Sequence, residues 1–215
     1  MRTKKKTQLI EGPAGLIEVE VVPAKKQLSQ DGSQNLAIIS HPHPLYGGTM
    51  DNKVVTTLFK AYQELGFNVV RYNFRGVGAS EGEHDYAQGE LNDLLAVVDW
   101  AQQPFPESAL HLAGFSFGSY IAFKAAAQLK PKSLLTVAPP VGLYSFEPEV
   151  TGQLDKDTQW SLLQGGQDEV VESAQVLNWA RALAEKPDIY WREKASHFFH
   201  GELIWLRRAV LLAYS

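Results

Sequence analysis

A serine flanked by two glycines is the most informative short motif in this chain. Gly114-Phe115-Ser116-Phe117-Gly118 follows an apolar run at Leu110–Ala113 and precedes an alanine-rich helical pattern at Phe117–Leu129. A tight turn from a strand into a helix needs glycine on both sides, because the backbone crowds the serine. Such a turn would expose the Ser116 hydroxyl for attack on a carbonyl carbon. The alternative is an ordinary serine in a loop between a strand and a helix.

A serine nucleophile needs an acid and a histidine, since an alcohol attacks poorly near neutral pH without a base. In strand–turn–helix sites the acid and then the histidine follow the serine along the chain. Asp168 comes just after an apolar run at Trp160–Leu163 and is the first choice for the acid. Glu169 and Glu172 are its rivals, and Asp168 could instead cap the next helix.

Two histidines follow Asp168. His197 stands in a loop after the run Ile189–Glu193, which is the last predicted strand and the place where the base belongs. His200 is expected to open the C-terminal helix and is the second candidate. A purely structural His197 stays an alternative. We therefore predict Ser116 as nucleophile, His197 as base and Asp168 as the acid that orients it.

Acyl transfer also needs two donors for the oxyanion of the tetrahedral intermediate. One is expected to be the backbone N–H of Phe117, directly after the serine. The second should come from the loop His41–Met50, which reads HPHPLYGGTM. Its prolines have no N–H, so Leu45 is the first choice and Tyr46 the second.

Two motifs could be read as cofactor or metal sites. His41 and His43 lie two residues apart, but no carboxylate or third histidine is close in sequence, and we expect them to hold the loop instead. The segment Arg75–Gly82 resembles a dinucleotide-binding loop only weakly, because Glu81 stands where that motif needs a small residue. We expect neither a cofactor nor a bound metal ion.

Short apolar runs alternate with helical patterns along the rest of the chain. The run Leu16–Val22 alternates apolar and acidic residues and, with Thr7–Glu11, predicts an antiparallel hairpin. The other predicted strands are mostly continuous apolar runs, as in a parallel sheet covered on both faces. They lie at Leu36–Ser40, Asn68–Phe74, Leu110–Ala113, Leu134–Ala138, Trp160–Leu163 and Ile189–Glu193. The expected fold is a three-layer α/β domain with a mostly parallel central sheet.

The predicted helices show the 3.6-residue repeat of apolar positions. Val55, Leu58, Phe59 and Tyr62 have this spacing, as do Leu91, Leu94, Leu95 and Val98, then Val176, Trp179, Ala180 and Leu183, and finally Leu203, Leu206 and Val210. Pro131 ends the alanine-rich helix. The chain holds no repeat or linker, so residues 1–215 are expected to form one domain.

Composition excludes several classes of function. The 215 residues include no cysteine, so disulfide frameworks and thiolate chemistry are ruled out. The net charge of −4 leaves no basic surface for nucleic acid. No apolar run approaches the length of a transmembrane helix, and Gln8, Glu11 and Gly12 interrupt the apolar core that a signal peptide needs. We expect a cytoplasmic protein that binds neither nucleic acid nor membrane; the oligomeric state stays open.

Taken in order, these motifs resemble the α/β-hydrolase superfamily over essentially the whole chain. His41-Pro42-His43-Pro44 with Gly47-Gly48, the segment Asn73–Gly82, the Ser116 motif, Gly165 with Asp168, and His197–Gly201 are similar to those of a small lid-less bacterial branch. That branch is related to dienelactone hydrolases and carboxylesterases. The resemblance implies the same triad, with Phe117 and Leu45 as oxyanion donors. Ser196 departs from relatives that often have aspartate there.

The spacing of the last strands leaves little room for a cap. Only about twenty residues, Pro139–Gln159, separate two predicted strands, which is too few for a substantial cap domain. An open site could then have an apolar acyl wall. Its candidates are Tyr46, Met50, Phe117, Leu143, Tyr144, Phe146 and Phe198.

We therefore expect a serine hydrolase of the carboxylesterase type that cleaves a small carboxylic ester or thioester through an acyl-enzyme. Two alternatives stay open: a peptidase or amidase with the same triad, and a non-catalytic binding or scaffold protein on this fold. A haloalkane dehalogenase is disfavoured, because that chemistry needs a carboxylate at the position of Ser116.

Overall fold

The computed structural model describes residues 6–25, 34–148 and 152–214. The basic residues that open the chain therefore lie largely outside the described residues. The described strands are, in chain order, β1 (Thr7–Gly12), β2 (Gly15–Val22), β3 (Asn35–Ser40), β4 (Asn68–Tyr72), β5 (Ala109–Phe115), β6 (Ser133–Val137), β7 (Gln159–Gly165) and β8 (Asp188–Arg192). The helices that cover them are α1 (Lys53–Glu64), α2 (Gly89–Gln102), α3 (Phe117–Leu129), α4 (Ser173–Ala182) and α5 (Leu203–Tyr214).

These strands form one sheet in the order β1-β2-β4-β3-β5-β6-β7-β8. β1 pairs with β2 and β2 with β4 in antiparallel fashion, whereas all pairs from β4 to β8 are parallel. The predicted mostly parallel sheet with an N-terminal antiparallel hairpin is confirmed. Because the strands from β3 to β8 are parallel, the loops after them meet at one edge of the sheet.

The two faces of the sheet carry separate apolar cores. Leu36 and Ile38 of β3 point into the core that also holds buried residues of α2, α3 and α4. Ala37 and Ile39 point into the opposite core, which holds buried residues of α1 and α5. Successive side chains of β3 thus point into the two cores in turn. Both sets must be apolar, so the strand is a continuous apolar run in the sequence. The three-layer architecture is confirmed.

Several elements end at other residues than expected. β4 ends at Tyr72 rather than Phe74, because the Phe74 N–H leaves the sheet and donates to His41 Nε2. β5 is longer than expected and continues to Phe115, next to the serine. α5 begins at Leu203, so His200 lies in the turn before the helix rather than at its start. Among the described residues, no helix is long and apolar enough to cross a membrane.

Candidate active site

Ser116 occupies the tight turn between β5 and α3 that its flanking glycines predict. Its φ of 53° and ψ of −123° are unusual for a residue with a side chain. A Cβ at Gly118 would collide with the carbonyls of Ser40 and His41, and one at Gly114 would collide with the backbone of Gly118. Both glycines are therefore required by the close approach of backbone. The Ser116 N–H donates to the Val137 carbonyl at 2.8 Å, which ties the turn to β6.

Ser116, His197 and Asp168 form one continuous line of hydrogen bonds. The Ser116 Oγ lies 3.0 Å from His197 Nε2. On the other side of the ring, Nδ1 lies 2.9 and 3.0 Å from the two carboxylate oxygens of Asp168. Since an ionised carboxylate only accepts, Nδ1 carries the proton and Nε2 is free to accept from the serine. This is the protonation state in which a histidine can act as a base towards Ser116.

Asp168 is held by the loop that follows β7. Its Oδ1 accepts the N–H groups of Val170 and Val171 at 2.9 and 2.8 Å, and its Oδ2 accepts from the Gln164 side chain at 3.0 Å. Burial alone would raise the pKa of Asp168, but the His197 ring and these backbone donors outweigh it and leave the pKa below its ordinary value. The carboxylate therefore stays ionised and fixed in orientation.

The rival candidates lie elsewhere. Glu169 accepts a hydrogen bond from the backbone N–H of His197 at 3.0 Å. It therefore holds the loop that carries His197 and does not contact the imidazole ring. Glu172 stands just before α4 and makes no side-chain cap there. His200 is exposed and stacks on Phe198. Of the predicted acids and bases, the structure brings only Asp168 and His197 to Ser116.

In the loop after β3, the two backbone N–H groups that we expected as oxyanion donors already have acceptors. The Leu45 N–H donates to His43 Nδ1 at 3.2 Å, and the Tyr46 N–H donates to the His43 carbonyl at 3.2 Å. Residues Pro44–Tyr46 form a single 3-10 turn, which directs both N–H groups back into the loop. Among the described residues, the backbone N–H groups of His43 and Phe117 have no acceptor. The N–H of Leu45, the expected donor, is thus occupied within the loop, whereas that of His43 is not.

His41 is a structural residue of this loop. It is fully buried; its Nδ1 donates to the Pro42 carbonyl at 2.6 Å and its Nε2 accepts the Phe74 N–H at 3.0 Å. Both nitrogens are thus occupied, and the loop is tied to the end of β4. In the described part of the chain, no group of three or more histidine, aspartate or glutamate residues is arranged to hold a metal ion.

Buried histidines should make the protein sensitive to mild acid. Burial lowers the pKa of His41 to about 4 and that of His111 to about 3. Between these values and pH 6.5 the unfolded chain binds protons that the folded chain does not, so stability falls as the pH falls. We expect the free energy of unfolding to drop by roughly 1 kcal/mol per pH unit for each histidine.

Urea unfolding at a series of pH values from 7 to 4.5 measures this slope. His111→Gln should make the slope shallower, whereas the same change at the exposed His200 should leave it as in the parent chain. A slope that His111→Gln does not alter would contradict the assignment.

Ser116 and His197 open into a cavity of about 490 Å³. Tyr46, Leu143 and Phe198 of the predicted acyl wall line it, and both Tyr46 and Leu143 are largely exposed. The other lining residues are Pro42, His43, Gly47, Gly48, Asn52 and Val170.

The remaining members of the predicted wall are placed differently. Met50 is fully buried and its backbone bonds to Asn73 and Arg71, so it is not available to a ligand. Tyr144 does not line the cavity, because its ring packs against Tyr120. The rings of Phe117 and Phe146 are buried in aromatic clusters: Phe117 packs with His43, Phe74 and Tyr144, and Phe146 with Tyr120, Phe123 and Trp179.

Asn52 and Val170 line the cavity but lie outside every segment that the sequence analysis placed near the site. Asn52 caps α1 by accepting the Val54 N–H at 2.8 Å, and an asparagine just before a helical repeat was the available signal. Val170 lies two residues after Asp168 and is exposed, a position that the apolar pattern does not single out.

The glycine-rich segment Arg75–Gly82 is a turn that fastens the N-terminal hairpin to the sheet. The Glu81 N–H donates to the Leu16 carbonyl at 2.8 Å, and the Glu18 carboxylate accepts from Asn73 at 2.7 Å. Arg75 makes a bidentate ion pair with the buried Asp93 of α2, in which Nε donates to Oδ2 and the terminal nitrogen to Oδ1. These contacts give the motif a structural role.

Comparison with known proteins agrees with this architecture. The sequence profile of the alpha/beta hydrolase fold matches residues 45–201. A solved serine hydrolase without a lid from Xanthomonas campestris is 39% identical, covers 99% of this chain and 94% of its own, and superposes with a TM-score of 0.89. A solved serine hydrolase homologue from Coxiella burnetii is 41% identical over the full length of both chains, with a TM-score of 0.89.

An uncharacterised protein of Rickettsia prowazekii is 34% identical over 197 residues, which are 87% of this chain and 79% of that protein. The profile match and the similarity to lid-less bacterial serine hydrolases agree with the branch that the ordered motifs predict. The chain therefore belongs to the α/β hydrolase fold family.

Proposed function

We propose that this protein is a serine hydrolase of the carboxylesterase type that cleaves small carboxylic esters or thioesters through an acyl-enzyme. The observation that carries the proposal is the line from Asp168 through His197 to Ser116, with contacts of 2.9 and 3.0 Å at its two ends. The line ends on a serine in a strained turn that borders an open cavity.

In the first half of the reaction, Ser116 Oγ attacks the carbonyl carbon and gives its proton to His197 Nε2. Asp168 holds the ring and stabilises the imidazolium that forms. The protonated His197 then gives its proton to the leaving alcohol or thiol, which leaves an ester between the acyl group and Ser116. In the second half, water attacks this ester, His197 takes the proton of the water, and Ser116 Oγ leaves with a proton from His197.

The negative oxygen of each tetrahedral intermediate needs donors that are free. We assign the backbone N–H groups of Phe117 and His43, since neither has an acceptor among the described residues. Phe117 is the first residue of α3, so the positive end of the helix dipole adds to the stabilisation. Gly48 supports the other donor, because its missing side chain lets it pack against the carbonyls of Pro42 and His43.

A fluorophosphonate probe tests the proposal directly, because such a probe reacts with an activated serine. We expect one adduct per chain, located on Ser116 by mass spectrometry of peptides, and no adduct in Ser116→Ala. Ser119→Ala is the matched control: Ser119 lies one turn further along and donates to the Ser116 carbonyl at 2.6 Å, so its loss should leave labelling in place.

Turnover completes the test. The parent chain should hydrolyse p-nitrophenyl acetate, and Ser116→Ala should not. Folded protein that is neither labelled nor active on esters would favour the non-catalytic alternative, and faster cleavage of amides than of matched esters would favour a peptidase or amidase.

A further inference from the structure

His43, which lines the cavity beside Ser116, carries a ring nitrogen that can donate a hydrogen bond. Its Nδ1 accepts the Leu45 N–H, so in the neutral ring the proton lies on Nε2. Burial, helped by the neighbouring His84, lowers the pKa of His43 and keeps the ring neutral. Among the described residues, no acceptor contacts this Nε2, although the residue lines the cavity.

Asn52, which lines the same cavity, carries a second group that can donate. The Val54 N–H needs an oxygen, and it donates to Asn52 Oδ1 at 2.8 Å. This bond sets the orientation of the amide, and both hydrogens on its nitrogen remain available to donate. In the part of the chain that the structure describes, this nitrogen also has no acceptor, and Asn52 lines the cavity together with His43.

The charges around the cavity are unfavourable for an anion. None of its lining residues is a lysine, arginine, aspartate or glutamate. Behind its wall, the carboxylate of Asp168 contacts the His197 ring and that of Glu169 contacts the His197 backbone. A substrate carboxylate bound against this wall would find no counter-ion among the lining residues and would be repelled by these two carboxylates.

We propose that His43 and Asn52 bind an uncharged oxygen of the substrate, such as an ether or second carbonyl oxygen, and that the site selects esters without a negative charge beside the scissile bond. Two donors without an accompanying acceptor are complementary to an oxygen that only accepts. The inference rests on the proposed ester hydrolysis and makes His43 and Asn52 residues that determine specificity.

A pair of isosteric esters tests the oxygen contact. p-Nitrophenyl methoxyacetate carries an ether oxygen where p-nitrophenyl butyrate has a methylene group. We expect the ratio of their kcat/KM values to fall about fivefold in His43→Phe and in Asn52→Asp, the size expected for one lost hydrogen bond. Comparing the ratio between variants cancels the different chemical reactivity of the two esters.

The substitutions are chosen to preserve structure. Phenylalanine keeps a ring at position 43, although it removes the Nδ1 acceptor of the Leu45 N–H, and aspartate keeps the oxygen that caps α1. Asn92→Asp on the exposed face of α2 is the matched control for the added charge and should leave the ratio as in the parent chain. A ratio that stays constant in His43→Phe or Asn52→Asp would overturn the role of that residue.

A second pair of esters tests the exclusion of anions. p-Nitrophenyl hemisuccinate should react at least tenfold more slowly than its methyl ester, and equal rates would overturn this part of the inference. Failure of the proposed function gives a different result. The parent chain would then hydrolyse none of the esters, or Ser116→Ala would hydrolyse them as fast as the parent chain does.

Discussion

Asparagine at position 168 should lower kcat by about 10⁴-fold while leaving the fold intact. The N–H groups of Val170 and Val171 both require the oxygen that now accepts them. They would hold the asparagine oxygen on their side and turn its NH₂ group towards His197. That NH₂ would donate to Nδ1 and move the ring proton to Nε2. His197 would then present a proton to Ser116 instead of a lone pair and could not act as a base.

Steady-state kinetics on p-nitrophenyl acetate measures this loss, and Glu169→Gln is the matched control. Glu169 bonds only to the backbone N–H of His197 among the described residues, and a glutamine oxygen can keep that bond. We expect its kcat to stay within about tenfold of the parent value, as for a loop contact rather than a member of the proton relay. A large loss in Glu169→Gln together with a small one in Asp168→Asn would identify Glu169 as the acid.

Proline at position 43 should lower kcat by about 10²- to 10³-fold relative to alanine at the same position. His43 has a φ of −54° and a ψ of 124°, which a proline ring can adopt. His43→Pro and His43→Ala both remove the imidazole, but only the proline removes the backbone N–H. The difference between the two variants therefore isolates the proposed oxyanion donor from the side chain.

Thermal unfolding checks that the fold tolerates both substitutions. The ratio of kcat in His43→Pro to kcat in His43→Ala, measured on p-nitrophenyl acetate, gives the result. Equal kcat values in two folded variants would remove His43 from the oxyanion site. The role would then return to Leu45, whose N–H would have to leave His43 Nδ1 when substrate binds.

The kind and order of the structural elements were predictable from local patterns. The alternating acidic and apolar residues of β2 identify a strand, although Glu20 on its acidic face is buried against Arg71 rather than exposed. The continuous apolar run of β3 identifies a strand between two cores. Ser116 was also predictable, because a strand, two glycines and a helix in immediate succession allow few geometries. These signals span only a few residues, and the sequence carries them without reference to the rest of the chain.

The choice between neighbouring polar groups depended on tertiary structure. Asp168 and Glu169 are adjacent in sequence, and the turn after β7 aims one at the ring of His197 and the other at its backbone. From the sequence, Leu45 was the first choice for an oxyanion donor, but the 3-10 turn directs its N–H to His43 Nδ1. Met50 looked suitable for an apolar wall, but its contacts with Arg71 and Asn73 bury it.

By itself, then, the sequence determined which segments become strands and helices, and which residue types could perform acyl transfer. The tertiary structure decided which carboxylate faces the base, which N–H groups stay free and which side chains reach the cavity. The physical reason is that periodicity and turn chemistry act over neighbouring residues. The direction of a single hydrogen bond, in contrast, depends on segments such as those of Ser116 and His197, which lie 81 residues apart and meet only when the sheet is assembled.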